Sequence, residues 1–125
     1  MEDYLAQLNE SQKLPTIHKD GPVMVIAGAG SGKTRVLTYR IAYLIKIGVD
    51  PFSILALTFT NKAAREMKSR ISQIVGESES KSLWMGTFHS VFARILRSES
   101  EFLGYSSNFT IYDTQDSDRL IATII

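Results

Sequence analysis

The chain contains no cysteine. That excludes a disulfide framework and any zinc site built on thiolates, and it fits a reducing compartment, so a cytoplasmic location is expected. No apolar run approaches the length needed to span a bilayer, so no membrane partner is expected. The opening residues MEDYLAQLNE carry acids and no basic cluster, which is not the pattern of a secretory signal. Internal repeats and low-complexity tracts are also missing. What remains is an ordinary globular composition, 44% hydrophobic and 22% charged over 125 residues, enough for one domain core.

The net charge of +1 conceals a segregation along the chain. Residues 62 to 97 hold seven basic side chains (Lys62, Arg65, Lys68, Arg70, Lys81, Arg94, Arg97) against three acids, whereas residues 98 to 125 carry a surplus of four acids. A basic middle segment suits a polyanionic partner such as DNA. A solvated helix face accounts for the same charges equally simply.

The most informative stretch is AGAGSGKT, residues 27 to 34, placed after the apolar run Val23–Ile26 and before a helix-patterned segment. A strand that enters a glycine turn opening a helix aims backbone N–H groups and the positive end of the helix dipole at one small volume, which phosphate oxygens fill well. Gly28, Gly30 and Gly32 are expected to supply positive φ angles and the missing Cβ atoms that let main chain wrap a β-phosphate. The main chain of Ala27, Ala29 and Ser31 completes the cradle. Lys33 would reach the β- and γ-phosphates, and the Thr34 hydroxyl would ligate the magnesium ion bridging them. Ala27 stands where the pattern G-x-x-x-x-G-K-[ST] has its first glycine, a mild departure. ATP with Mg2+ is the cofactor expected.

Around this loop the patterning predicts an α/β fold. Asn9 reads as a helix N-cap with Gln12 as its capping-box partner, and Pro15 should break or kink that helix early. Val23–Ile26 reads as a buried parallel strand. Val36, Leu37, Ile41, Leu44 and Ile45 recur at helical spacing up to Gly48. Ile54–Phe59 reads as a second strand, completing a βαβ unit. Thr60 caps a helix running to Gly76, a polar loop spans Glu77–Ser82, and Leu83–Gly86 reads as a third strand. Ser90–Arg97 reads as a helix, Phe109–Tyr112 as a short extended piece, and Gln115–Ile125 as a helix that is apolar to its last residue. That uncapped end suggests the amino-terminal piece of a longer polypeptide, marginally stable or oligomeric when alone.

Two further turns carry chemistry. The stretch Leu57 to Met67, with Thr58, Phe59, Thr60, Asn61 and Lys62, sets an aromatic, two hydroxyls, an amide and an ammonium at a strand-to-helix turn, and Gly86-Thr87-Phe88-His89-Ser90 repeats that chemistry at the end of the third strand. Such groups contact a phosphate backbone and stack bases. Alternatively Phe59 lies in the core, Thr60 is only a cap, and His89 is a packed, hydrogen-bonded histidine. Both turns fall on the sheet edge where open α/β folds bind ligands. Nucleotide hydrolysis also needs a carboxylate ending a second core strand. The approximation Phe109-Thr110-Ile111-Tyr112-Asp113 is mixed in character, so Asp113 reads either as the cap of the last helix or as that carboxylate.

LNESQ, AGAGSGKTRVL, LTFTNKAAREM and GTFHS, in this order and spacing from about Leu8 to Ser90, resemble the Q-motif, Walker A motif, motif Ia and motif Ib of UvrD/PcrA/Rep-type superfamily 1 DNA helicases. The resemblance implies a P-loop NTPase with a RecA-like parallel sheet flanked by helices, incomplete here. Residues 1–90 would form the N-terminal part of the first RecA-like domain, and residues 91–125 the start of an α-helical insertion. Gln12 would read adenine, Arg35 would lie by the base and sugar, and Lys33 and Thr34 would be the catalytic residues serving triphosphate and magnesium. Phe59, Thr60, Asn61, Lys62, Thr87, Phe88 and His89 would line a single-stranded DNA path near a duplex junction.

The implied parent is a 3′–5′ ATP-dependent helicase of DNA repair or replication. Its DExx box and its second RecA-like domain, which brings an arginine finger, are absent from this sequence. Pro15 also departs from the family's usually unbroken helix. Two other readings stay open: the motor part of a RecB- or AddA-like helicase-nuclease, and a non-catalytic nucleotide-dependent interaction module.

Overall fold

The computed structural model describes residues 3–28, 30 and 32–125. Contacts between residues divide the chain into two compact units, one running to Val91 and the other from Phe92 to Ile125.

The first unit is an α/β arrangement. Helices α1 (Asp3–Ala6) and α2 (Glu10–Ile17) precede α3 (Lys33–Lys46), and a 3-10 turn at Pro51–Ser53 leads into strand β1 (Leu55–Thr58). Helix α4 (Asn61–Val75), the short α5 (Glu77–Lys81) and strand β2 (Trp84–Thr87) follow. β1 and β2 pair in parallel, with Leu55 opposite Trp84 and Thr58 opposite Thr87. Their crossover is the right length for one helical connection, which α4 supplies.

The core lies where α3, α4 and the sheet meet. Ile41, Ile54, Ala56, Met67, Ile71, Leu83 and Met85 are buried together, with Leu44, Ile45, Val49 and Val75 packed on them. Each of the buried Ile, Leu and Met side chains contributes about 1.5–3 kcal/mol by leaving water. A second cluster of Leu5, Leu8 and Tyr39, with Tyr4, Tyr43 and Ile74 against it, fixes α1 to α3.

Helix ends follow from the sequence. Asn9 Oδ1 accepts the Gln12 N–H at 2.9 Å while Gln12 Oε1 accepts the Asn9 N–H at 3.1 Å, the reciprocal box expected at α2. After α3 the Gly48 N–H bonds the Ile45 carbonyl and the Val49 N–H bonds the Leu44 carbonyl, a C-terminal pattern that the left-handed Gly48 permits. Thr60 Oγ1 accepts the Ala63 N–H at 3.1 Å and opens α4.

Several expectations are corrected. Val23–Ile26 is not a strand: it joins no ladder, and Met24 and Ile26 are 84% and 91% exposed. A buried parallel strand needs a neighbour on its edge, and β1 and β2 pair only with each other among the described residues. Pro15 does not end α2, which continues to Ile17. The polar stretch after Gly76 is not a loop but α5, because the Ser80 hydroxyl bonds the Glu77 carbonyl at 3.0 Å and lies 2.6 Å from the Ser72 hydroxyl of α4. Two acids in its first turn also favour a helix start.

The second unit contains most of helix α6 (Phe88–Glu99), a 3-10 turn at Ser100–Leu103 and helix α7 (Thr114–Ile124). The predicted extended piece Phe109–Tyr112 joins no sheet, although the Arg97 guanidinium sits 5.1 Å from the Phe109 ring centroid. Asp113 caps α7: its Oδ1 accepts the Asp116 N–H at 2.8 Å, and Asp116 Oδ2 accepts the Asp113 N–H at 3.2 Å. Helix α7 buries none of its residues, and Leu120, Ile121, Ile124 and Ile125 are exposed.

Candidate nucleotide and nucleic-acid site

Helix α3 begins without a side-chain cap. Its N-cap is Gly32, in the left-handed region at φ 82°, and among the described residues no side-chain cap hydrogen bond forms there. Fourteen residues of helix point their dipole at that end, with Lys33 and Thr34 in the first turn and both exposed. Gly30 is also left-handed, at φ 77°. Gly28 is not, which corrects the expectation that all three glycines take positive φ. Among the described residues, a Cβ built on Gly28 or Gly30 meets nothing within 4 Å. Ala27 is half-buried, whereas Ala29 and Ser31 lie outside the described residues. Uncapped amides, two left-handed glycines, an open cradle and an adjacent ammonium fit a phosphate chain. The Thr34 hydroxyl is a suitable oxygen ligand for magnesium, while among the described residues no cluster of three His, Asp or Glu side chains could hold a metal.

Gly32 is constrained on its other side. A Cβ there would overlap Gln12 Nε2, with Gln12 Cδ at 3.6 Å. The α2 amide therefore lies against the last glycine before Lys33. Arg35 is exposed one residue past Thr34 on α3.

A cleft of about 460 Å3 opens beside these residues, lined among others by Lys33, Thr34, Arg40, Leu57, Phe59 and Met67. It joins the start of α3 to the end of β1. The Thr58 hydroxyl lies 2.9 Å from the Thr60 carbonyl and 3.4 Å from the Gly86 carbonyl, so it ties the two strand ends together. Because Thr58 is in register with Thr87, Phe59 and Phe88 directly follow the adjacent ends of two parallel strands. The two predicted turns thus share one sheet edge.

Exposure bears on the core alternative for Phe59 and His89. Phe59 is 94% exposed, so it is not a core residue. Thr60 is a cap, as expected, while Asn61 and Lys62 stand exposed in the first turn of α4. Phe88 is 52% exposed and His89 is exposed, so His89 is not a packed core histidine. The second turn is not a loop: β2 runs to Thr87 and α6 starts at Phe88. Thr87 Oγ1 accepts the Ser90 N–H at 3.2 Å and donates to Ser90 Oγ at 3.0 Å, which makes the junction abrupt. Gly86 allows it, because a Cβ there would sit 2.6 Å from Ser90 Oγ and 3.1 Å from Val91 Cγ2. Thr58 and Ser90 fall within the two predicted stretches, but their hydrogen-bond partners were not legible; Arg40 was not legible as a site-building residue, since its acceptors lie at the end of another helix.

Together these features define an α/β chain with a glycine-capped helix start beside two solvent-facing strand ends that carry aromatics and hydroxyls. Comparison with known proteins gives that class a family. Residues 8–125 match the family described as "UvrD/REP helicase N-terminal domain", and the chain belongs to it. It is 48% identical to the ATP-dependent DNA helicase PcrA of Staphylococcus epidermidis and 47% identical to that of Staphylococcus aureus, in each case over the whole of this chain. The chain spans only 17% of the length of those relatives. Among the described residues no helix is long and apolar enough to cross a membrane.

Proposed function

We propose that this chain supplies the ATP grip and part of the single-stranded DNA track of a 3′–5′ ATP-dependent DNA helicase acting in the cytoplasm on repair or replication intermediates. The observation that carries the reading is the uncapped start of α3, with Lys33 and Thr34 beside a cleft that also exposes Phe59. In this reading the α3 amides and the main chain of residues 27–32 cradle the β-phosphate. Lys33 neutralises the β- and γ-phosphates, Thr34 holds Mg2+, and Gln12 and Arg35 contact the base and sugar. ATP supplies the free energy of translocation when hydrolysed. Asp113 is committed to capping α7, which supports leaving the metal-holding carboxylate to sequence beyond these residues. The chain by itself then binds ATP without turning it over, and a second RecA-like domain completes the motor. The division at Val91 is compatible with residues 1–90 belonging to the first RecA-like domain and 91–125 to its helical insertion.

Phe59, Thr60, Asn61, Lys62, Thr87, Phe88 and His89 contact single-stranded DNA in this account, the two aromatics stacking on bases and Lys62 meeting a phosphate. Their common sheet edge is the physical reason to treat them as one surface. Fluorescence anisotropy with a labelled single-stranded oligonucleotide over a salt series tests it. Binding that weakens steeply with salt supports the DNA track. No binding, or binding indifferent to salt, favours a nucleotide-dependent protein-interaction module instead.

A further inference from the structure

The segment from Gln7 to His18, which contains α2, is held on either side of Gln12 by side chains of α3. The last carbonyls of α2 have no helical partners, as in any helix, and Pro15 within it donates no N–H. Arg40 covers that end. Its Nη1 donates to the Pro15 carbonyl at 2.8 Å and to the His18 carbonyl as well. One residue earlier on α3, the Tyr39 hydroxyl donates to Gln7 Oε1 at 2.8 Å, and its ring meets Tyr4 edge-on with centroids 5.6 Å apart.

Gln12 lies between these two tethers. Its Oε1 is fixed by the Asn9 N–H, and its Nε2 faces Gly32. Both tethers arise from the helix whose first residue is Lys33, so one rigid element spans the phosphate grip and the supports of the glutamine. A half-buried, charge-assisted clamp on two carbonyls is stiffer than van der Waals contact alone.

We infer that Arg40 is a positioning residue that holds Gln12 in register with the phosphate loop. Recognition of the nucleotide base, as distinct from the phosphate chain, then depends on a side chain that acts through Gln12. This rests on the nucleotide reading proposed above. Loss of the guanidinium frees the end of α2 and lets Gln12 drift from Gly32, while the α3 amides and Lys33 keep their places.

The test is a set of binding titrations with Mg-ATP and with Mg-tripolyphosphate, which has the phosphates and no base. The chain is compared with Arg40→Met, Arg40→Lys, Gln12→Ala and the Arg40→Met/Gln12→Ala double variant. Arg40→Met is expected to weaken Mg-ATP by about tenfold, the scale of one well-oriented hydrogen bond, and to leave tripolyphosphate within about twofold. Arg40→Lys, which keeps the charge and can satisfy one carbonyl, should fall between. The double variant should bind Mg-ATP no worse than Gln12→Ala, because both changes remove the same contact. Equal losses for ATP and tripolyphosphate, additive losses in the double variant, or no loss in either Arg40 variant would overturn the inference. Failure of the nucleotide reading itself looks different: the unaltered chain would bind tripolyphosphate no better than Lys33→Ala does.

Discussion

Gln12 Nε2 occupies the position that a β-carbon on Gly32 would need. Gln12 and the last glycine before Lys33 are therefore in contact. Gly32→Ala should fail twice, by displacing the amide and by forcing alanine to φ 82°. Left-handed backbone costs an L-residue about 1–2 kcal/mol. The variant is expected to unfold at lower denaturant by about that amount and to bind Mg-ATP at least about tenfold more weakly. Chemical denaturation and calorimetric titration check both, and an unchanged affinity would show that Gln12 and Gly32 need not touch.

The exposed turn after β1 makes a separable prediction. Phe59→Ala removes a ring that contributes nothing to the core, so stability should change by less than about 0.5 kcal/mol. Binding to a single-stranded oligonucleotide should weaken by about 1–3 kcal/mol, the range for one stacked base. Lys62→Ala should instead lower the salt slope of binding by about one ion. Anisotropy titrations at several salt concentrations separate the two. Loss of the fold in Phe59→Ala would restore the core reading.

Ile71 is completely buried on α4, facing the sheet. Its truncation to Ala should cost about 2–5 kcal/mol. For a chain with this many exposed apolar side chains, that loss is expected to abolish cooperative melting. A melting curve as sharp as that of the unaltered chain would mean that α4 does not anchor the first unit.

Asp113→Ala tests whether that acid is a cap or a magnesium-holding carboxylate. The cap predicts a loss of α7 helix worth about 0.5–2 kcal/mol with Mg-ATP affinity unchanged. Circular dichroism and a Mg-ATP titration read the two. A drop in affinity without loss of helix would assign Asp113 to the metal.

What the sequence revealed and what it hid divide along physical lines. The caps at Asn9, Thr60 and Asp113 and the glycine stop after α3 were legible because their partners lie within about four residues. Strand β1 and its helix were legible because apolar period and capping agreed. Val23–Ile26 was misread because a run of apolar residues shows that a segment can be buried, not that a neighbouring strand is there to bury it. Helix α5 was hidden because serines and glutamates have weak helix signatures, and its stability comes from the Ser72–Ser80 contact with α4. The Arg40 clamp could not be seen at all, since its acceptors lie 22 and 25 residues away and are backbone atoms with no residue signature.

The central claim is that the start of α3 holds a triphosphate, and an equilibrium titration of the chain and of Lys33→Ala with Mg-ATP tests it most directly. Lys33 is exposed and should be replaceable with almost no effect on folding. The account predicts saturable binding by the unaltered chain and a loss of at least about tenfold in the variant, as expected when a charge-assisted phosphate contact is removed. Equal affinity in the two proteins, with both folded, would contradict it.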